Sequence, residues 1–261
     1  MLGFVHTKRL DTAAVNMATV TIVGLGPGPL SLLTLEAKDE LLRAEKVFFR
    51  TGSYPAFAWL RDLGKTVVPF DTLYGFQWQH PTDKYKFMTE ALLKEAVIRG
   101  QAVYAVPGSP FVSEDTTMRL QIRGAEAGVG IKVVGGMSYI DCALASLNFD
   151  TRFGLQVVME THVRSKRFSH RLAMLVSLRG KLQHDLLETY PPDHLVTLLW
   201  TEGLPAWETK HKVIALADLD REHADREKFF ASLFVPPVDP DRKTSPEIWA
   251  KVHRQSPVSV K

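Results

Sequence analysis

The sequence predicts an α/β protein of two domains, the first built on a mostly parallel sheet and the second mixed. Three observations carry this expectation. From Val20 to about Asp150, short runs rich in β-branched and aromatic residues alternate with helix-length amphipathic segments, which is the rhythm of strands joined by crossover helices. Three of the strand-like runs end in glycine-bearing loops: Gly24-Leu25-Gly26-Pro27-Gly28, Pro107-Gly108-Ser109-Pro110 and Gly135-Gly136. Beyond Asp150 the texture changes, and strand-like runs follow one another with fewer helices between them.

Element by element, Val20–Val23 reads as a buried strand. After the glycines, LSLLTLEAKDELLRA has leucines near helical spacing, with Ser31 or Thr34 as the N-cap. EKVFFRT is a second strand, YPAFAWLRDLG a short helix closed by Gly64, and KTVVPF a third strand. DTLYGFQWQHPTDK is polar, aromatic and irregular. YKFMTEALLKEAVIRG is an amphipathic helix stopped by Gly100. A fourth strand, QAVYAV, runs into the second glycine loop, and a helix follows over 112–126. GIKVVGG is the fifth strand and SYIDCALASLNF the next helix. In the second half GLQVVMET, RLAMLVSLR, LVTLLWTEG and HKVIALADL read as strands. GKLQHDLLETY reads as a helix, and LDREHADREKFFASLF contains another. The expected organisation is a flexible tail over 1–17, domains over 18–150 and 151–237, and a polar, proline-containing tail over 238–261.

Composition narrows the function classes. A chain of 261 residues with 45% hydrophobic content can bury real cores, and a net charge of +3 is too small to argue for nucleic acid. No apolar run approaches the ~20 residues of a membrane span, and the N-terminus does not read as a secretory signal. The single cysteine, Cys142, lies in an apolar helix-like run and reads as a small core residue; a cytoplasmic location is the expectation. The nine histidines form no H-x-x-x-H or Cys/His cluster, so no metal site is expected. RSKRFSHR, over 164–171, reads as a solvated basic loop. There is no G-x-S-x-G elbow of a serine hydrolase.

The first loop begins like a dinucleotide fingerprint but departs from it. Pro29 stands where the third glycine would be, and Pro27 and Pro29 remove backbone N–H groups that cradle a pyrophosphate. No G-x-x-x-x-G-K-[ST] loop is present either. Three glycine loops, each following a strand, point to one ligand crevice at the strand ends, for a ligand with little demand for phosphate donors.

TIVGLGPGPLSLLTLEA, VYAVPGSPFVSEDT, VVGGMSYIDCAL and the late SLFVPP, in this order, resemble the tetrapyrrole methylase family, and in particular the N-terminal domain of YabN/MazG-type proteins. The resemblance covers about 18–237. It implies a class III S-adenosylmethionine-dependent methyltransferase: two α/β domains, the cofactor in the cleft between them, and a homodimer. It further implies cofactor contacts from Gly26, Pro27 and Gly28, from Gly108, Ser109 and Pro110 with Phe111 or Val112 beside them, and from Ser138 and Tyr139. On the second domain, strand positions imply contacts near Ser177, Leu178, Thr201, Glu202, Ser232 and Leu233. Ser109 stands where many members carry Asp, Gly135 where Pro is usual, and Tyr139 where a small residue is usual. No paired E-x-x-E and E-x-x-D helices are found, so magnesium-dependent pyrophosphohydrolase activity is not expected.

Methyl transfer from a sulfonium needs alignment first, and a base or anion stabiliser only for a poor nucleophile. The segment that resembles the substrate-facing one carries Tyr74 and Tyr85, which can hydrogen-bond or deprotonate an acceptor, with Lys84 as a nearby cation and Phe76 and Trp78 available for stacking. The resemblance leaves three functions open: methylation of a tetrapyrrole-like or other small molecule, backbone N-methylation of a separate peptide, and ligand binding without turnover beside a MazG-type partner.

Overall fold

A computed structural model describes residues 17–201, 209–224 and 230–238. Apart from Met17 and Val238, the two expected tails lie outside these residues, as does Glu202. The chain divides into two units between Met137 and Ser138.

In the first unit, strands β1 (Thr19–Gly24), β2 (Lys46–Phe49), β3 (Thr66–Pro69), β4 (Gln101–Val106) and β5 (Gly130–Val134) form one sheet in the order β3-β2-β4-β1-β5. Every pairing is parallel. The strands alternate their side chains between two cores, which is why they read as almost continuous apolar runs. Val20, Ile22, Phe48 and Tyr104 face α3 (Asp83–Arg99) and α4 (Asp115–Ala127), meeting Met88, Leu92 and Leu120. Val23, Val47, Phe49 and Ala105 face the other way, toward Ala37 and Leu41 of α1 (Leu35–Arg43) and Ala56 and Leu60 of α2 (Pro55–Asp62).

Local chemistry sets the helix ends. The Thr34 hydroxyl accepts from the Ala37 N–H at 3.1 Å and starts α1. Helix formation therefore begins later than the leucine spacing suggested, with Leu30–Leu32 forming a separate 3-10 turn. Likewise α4 starts at Asp115, not at 112. A backbone bond from Val112 N–H to Ser109 O (3.0 Å) and the left-handed Ser113 (φ 57°) hold the chain in a turn until Glu114 caps the helix.

The strand order locates the functional edge. From β1 the chain passes through α1 to β2 on one side, whereas from β4 it passes through α4 to β5 on the other side of β1. Adjacent strands β1 and β4 thus send their C-terminal loops in opposite directions. This is the switch point at which open α/β sheets receive ligands.

The second unit contains α5 (Tyr139–Leu147), β6 (Leu155–Met159), α6 (Glu160–Arg164), β7 (Ala173–Leu178), α7 (Gln183–Leu187), β8 (Leu195–Thr201), β9 (Thr209–Ala215), α8 (Leu219–Ala224) and β10 (Phe230–Val235). Its sheet order is β6-β7-β10-β8-β9, with β6 and β7 parallel and the other neighbours antiparallel. One face packs Met174, Val176, Leu198 and Leu233 with Leu186 and Leu219. The other packs Leu175, Leu199 and Phe234 with Ala143 and Leu147 of α5. That second contact puts the division between units before α5, not near residue 150: the helix buries its apolar side on the second sheet. The expected strand GLQVVMET stops at Met159, and its last two residues, Glu160 and Thr161, instead begin helix α6. Its first residue, Glu160, accepts from the Gly180 N–H (2.8 Å) and the Arg179 N–H, which anchors the turn.

Candidate functional site

The three glycine loops of the first unit meet at the β1/β4 switch point. Gly26 and Gly108 form an isolated antiparallel bridge, N–H to O at 3.2 and 2.8 Å. Both glycines have left-handed backbones, φ 71° and 66°. A Cβ on Gly24 would lie 2.7 Å from Gly136 N, 2.8 Å from Gly108 O and 2.8 Å from Pro110 Cδ. A Cβ on Gly136 would lie 2.6 Å from Gly108 O and 2.7 Å from the Gly24 carbonyl carbon. The first and third loops are also tied by the Thr34 hydroxyl, which donates to Gly135 O at 3.2 Å. Gly24 and Gly136 are therefore glycines because three backbones pass against one another. Gly135 is exposed, and a Cβ added there would meet nothing within 4 Å among the described residues.

This edge is poor in free donors. Pro27, Pro29 and Pro110 carry no N–H, and the N–H groups of Gly26 and Gly108 are bonded to each other's carbonyls. Three prolines and this bridge leave the edge fewer backbone donors than a glycine-rich pyrophosphate cradle uses. A nucleoside with a sulfonium and an amino-acid end, which needs close backbone approach but no phosphate donors, fits the residues present. Of the residues singled out on these loops, Gly26, Gly28 and Pro110 are buried, Pro27, Gly108, Ser109 and Val112 are half-buried, and Phe111 is exposed. The Ser109 carbonyl closes the turn before α4.

Beside the loops lies a cluster of polar side chains from the ends of β2, β3 and β4. Arg50, directly after β2, donates from Nη1 to Glu114 Oε2 (2.6 Å) and from Nε to the Tyr74 oxygen (3.0 Å). The Glu114 side chain is 1% exposed, and its other oxygen accepts from the Thr116 N–H at 3.2 Å. The Arg50 guanidinium carbon stands 5.9 Å from the Tyr85 ring centroid, and Lys84 Nζ stands 4.6 Å from that of Tyr74 and 5.3 Å from that of Tyr85. Burial works against the Arg50 charge, but the Glu114 carboxylate and the Tyr74 oxygen keep its pKa above the ordinary guanidinium value. Burial pushes the Tyr85 phenol up, with Arg50 opposing, so Tyr85 keeps its proton at neutral pH.

Tyr74 and Tyr85 thus sit together, joined by Arg50 and Lys84. Sequence reasoning missed Arg50 and Glu114. They are 64 positions apart, and the only local signals were a cation at a strand end and a carboxylate before a helix. Trp78 is fixed, its Nε1–H donating to Leu73 O at 2.7 Å, whereas Phe76 remains exposed.

In the second unit, Ser138 is spent on capping α5: its hydroxyl accepts from the Ile140 N–H (3.1 Å) and donates to Asp141 Oδ2 (2.9 Å). Half-buried Tyr139 packs against the α5 core. Ser177 and Ser232 are cross-strand partners, so the sheet brings them together. Leu178 and Leu233 point into the opposite core, and only their backbones are left for a ligand. Thr201 is the last residue of β8. Among the described residues no group of three His, Cys, Asp or Glu side chains could hold a metal, and no helix is long and apolar enough to cross a membrane.

Residues 19–210 match the family model of tetrapyrrole (corrin/porphyrin) methylases. Two curated relatives are similar. The uncharacterized protein YabN of Bacillus subtilis (strain 168) is 28% identical over 232 residues, covering 85% of this chain and 46% of the relative. A methyltransferase/ribosomally synthesized type I borosin cyclic peptide precursor from Gymnopilus junonius is 26% identical over 244 residues, covering 85% of this chain and 57% of the relative. The chain therefore spans about half the length of these relatives. Among solved structures, uroporphyrin-III-C-methyltransferase from Thermus thermophilus aligns with a TM-score of 0.64 at 22% identity, over 85% of this chain and 92% of that one. The methyltransferase CobJ aligns with a TM-score of 0.61 at 18% identity, over 88% and 98%. At these identities the structural likeness establishes the fold.

Proposed function

The chain belongs to the tetrapyrrole (corrin/porphyrin) methylase family, and from that premise we propose that it is a methyltransferase that uses S-adenosylmethionine, with a tetrapyrrole-like or other small-molecule acceptor. The observation that carries this reading is the meeting of three glycine loops at a sheet switch point, where prolines and the Gly26–Gly108 bridge remove backbone donors. When bound, S-adenosylmethionine supplies an electrophilic methyl group for in-line transfer. The chain's own contribution is alignment: rigid loops that permit close approach on one side, and the Arg50–Tyr74–Tyr85–Lys84 cluster for the acceptor on the other. Tyr85, which keeps its proton, orients the acceptor by donating a hydrogen bond.

A second reading, methylation of a peptide backbone, is favoured by the borosin-precursor relative and by the two tyrosines beside two cations. The test is incubation with radiolabelled S-adenosylmethionine and, separately, reduced uroporphyrin III and an acetyl-capped peptide. Label in either product supports methyl transfer and chooses between the readings. Label in neither, from a protein that binds the cofactor, would contradict transfer. It would favour ligand binding without turnover, beside a MazG-type partner.

A further inference from the structure

Arg50 is held more firmly than an exposed ion pair requires. Its own N–H bonds to Ala105 O at 3.0 Å, and the next two residues, Thr51 and Gly52, are tied to the Asp71 carboxylate at 2.7 and 2.6 Å. The segment is thus pinned to β4 on one side and to the turn after β3 on the other. The side chain is then fixed at Nη1 by the buried Glu114 carboxylate, which is itself fixed by capping α4. What remains of the fork reaches Tyr74.

That contact constrains Tyr74. A phenol has one proton and can accept as well as donate. Arg50 Nε–H occupies the accepting side at 3.0 Å. The phenol proton has no acceptor among the described residues, and Tyr74 is 42% exposed. Lys84 stands over the same ring, and no carboxylate pairs with it among the described residues. The free side of Tyr74 therefore offers a directed O–H in a locally positive field.

We propose that Arg50, locked by Glu114, is a positioning residue that turns the Tyr74 hydroxyl outward, so that Tyr74 donates to a carbonyl or carboxylate oxygen of the methyl acceptor. This rests on the methyltransferase reading above. It names the acceptor by chemistry: an oxygen acceptor of hydrogen bonds close to the methylated atom, and not an amine or a hydrocarbon alone. Lysine at position 50 keeps the charge opposite Glu114 but lacks the rigid fork that reaches Tyr74.

Two readouts test it. In nitrogen-labelled protein, the Arg50 Nε–H should exchange slowly with solvent, and Tyr74→Phe should remove that protection by at least about tenfold, since the bond's acceptor is gone. In transfer assays with the two acceptors named above, Arg50→Lys and Tyr74→Phe should each lower kcat by about tenfold or more, the value of one oriented hydrogen bond. The double variant should be no worse than either single one, and S-adenosylhomocysteine should bind all of them within about twofold of the parent. Exposed Arg61→Lys serves as the neutral control. Wild-type turnover by Arg50→Lys, an unprotected Nε–H in the parent protein, or loss of S-adenosylhomocysteine binding in step with turnover would overturn the positioning role and leave the methyltransferase reading standing. Absence of transfer by the parent protein to either acceptor would overturn both.

Discussion

Replacing Gly24 with alanine adds one methyl group, and the structure says where it goes. It would lie 2.7 Å from Gly136 N, 2.8 Å from Gly108 O and 2.8 Å from Pro110 Cδ, all closer than real Cβ contacts. Two of these are backbone atoms of different loops, one held by the Gly26–Gly108 bridge and the other next to Gly135, whose carbonyl the Thr34 hydroxyl holds, and no rotamer change relieves them. Overpacking of this kind costs about 1–3 kcal/mol. For a protein of this size each kcal/mol lowers Tm by roughly 2–4 °C, so a fall of about 2–12 °C is expected. Gly135→Ala is the matched control. It lies one residue from Gly136, its added Cβ meets nothing within 4 Å, and its φ is not positive, so its effect should stay within about 0.5 kcal/mol. Differential scanning calorimetry of the three proteins reads both. Equal Tm values for the Gly24→Ala and Gly135→Ala variants would refute the claim that three backbones are packed against one another at this point.

Other outcomes follow from single groups. Glu114→Ala strands the Arg50 charge and uncaps α4, and should cost about 3–4 kcal/mol in urea unfolding; adding Arg50→Met should recover part of it, because the stranded charge is gone. Tyr190→Phe removes a buried hydroxyl that has no hydrogen-bond partner among the described residues and whose pKa burial pushes up to about 12, so the variant should gain about 1 kcal/mol. Burial holds His194 below its ordinary pKa of 6.5, against the opposing bond to Pro236 O at 3.1 Å. The unfolded chain then takes up the proton first. This stability is fully present above pH 6.5 and is lost as pH falls through the lower folded value. The urea midpoint should drop between pH 7 and pH 5, and less steeply in His194→Gln; some slope should remain, because His211 is shifted the same way.

The α/β class was legible because the buried parallel strands are nearly all apolar and the helices between them carry glycine stops, Gly100 and Gly128 among them. The family was legible from four loop motifs in order. What was hidden is tertiary. Nothing local marks α5 as belonging to the second sheet, because its apolar face would suit either. The early end of β6 is set by Glu160 bonding to backbone 20 residues on. The glycine loops announced a tight site, but not that Gly24 and Gly136 are needed by each other while Gly135 has room for a side chain. Tyr74 and Tyr85 could be singled out from one aromatic segment, whereas Arg50 and Glu114 join them only through the sheet order, which places the ends of β2 and β4 side by side.

The central claim, that the glycine loops of the first unit hold S-adenosylmethionine, is tested most directly by isothermal titration of the protein with S-adenosylmethionine and with S-adenosylhomocysteine. Binding of both on the order of micromolar is expected. Gly108→Arg should abolish it, whereas Gly64→Arg, at a position with the same left-handed backbone at the end of α2 where an added Cβ meets nothing within 4 Å among the described residues, should bind as the parent does. A folded parent protein that gives no heat with either ligand, or a Gly108→Arg variant that binds as well as the Gly64→Arg control, would contradict the claim.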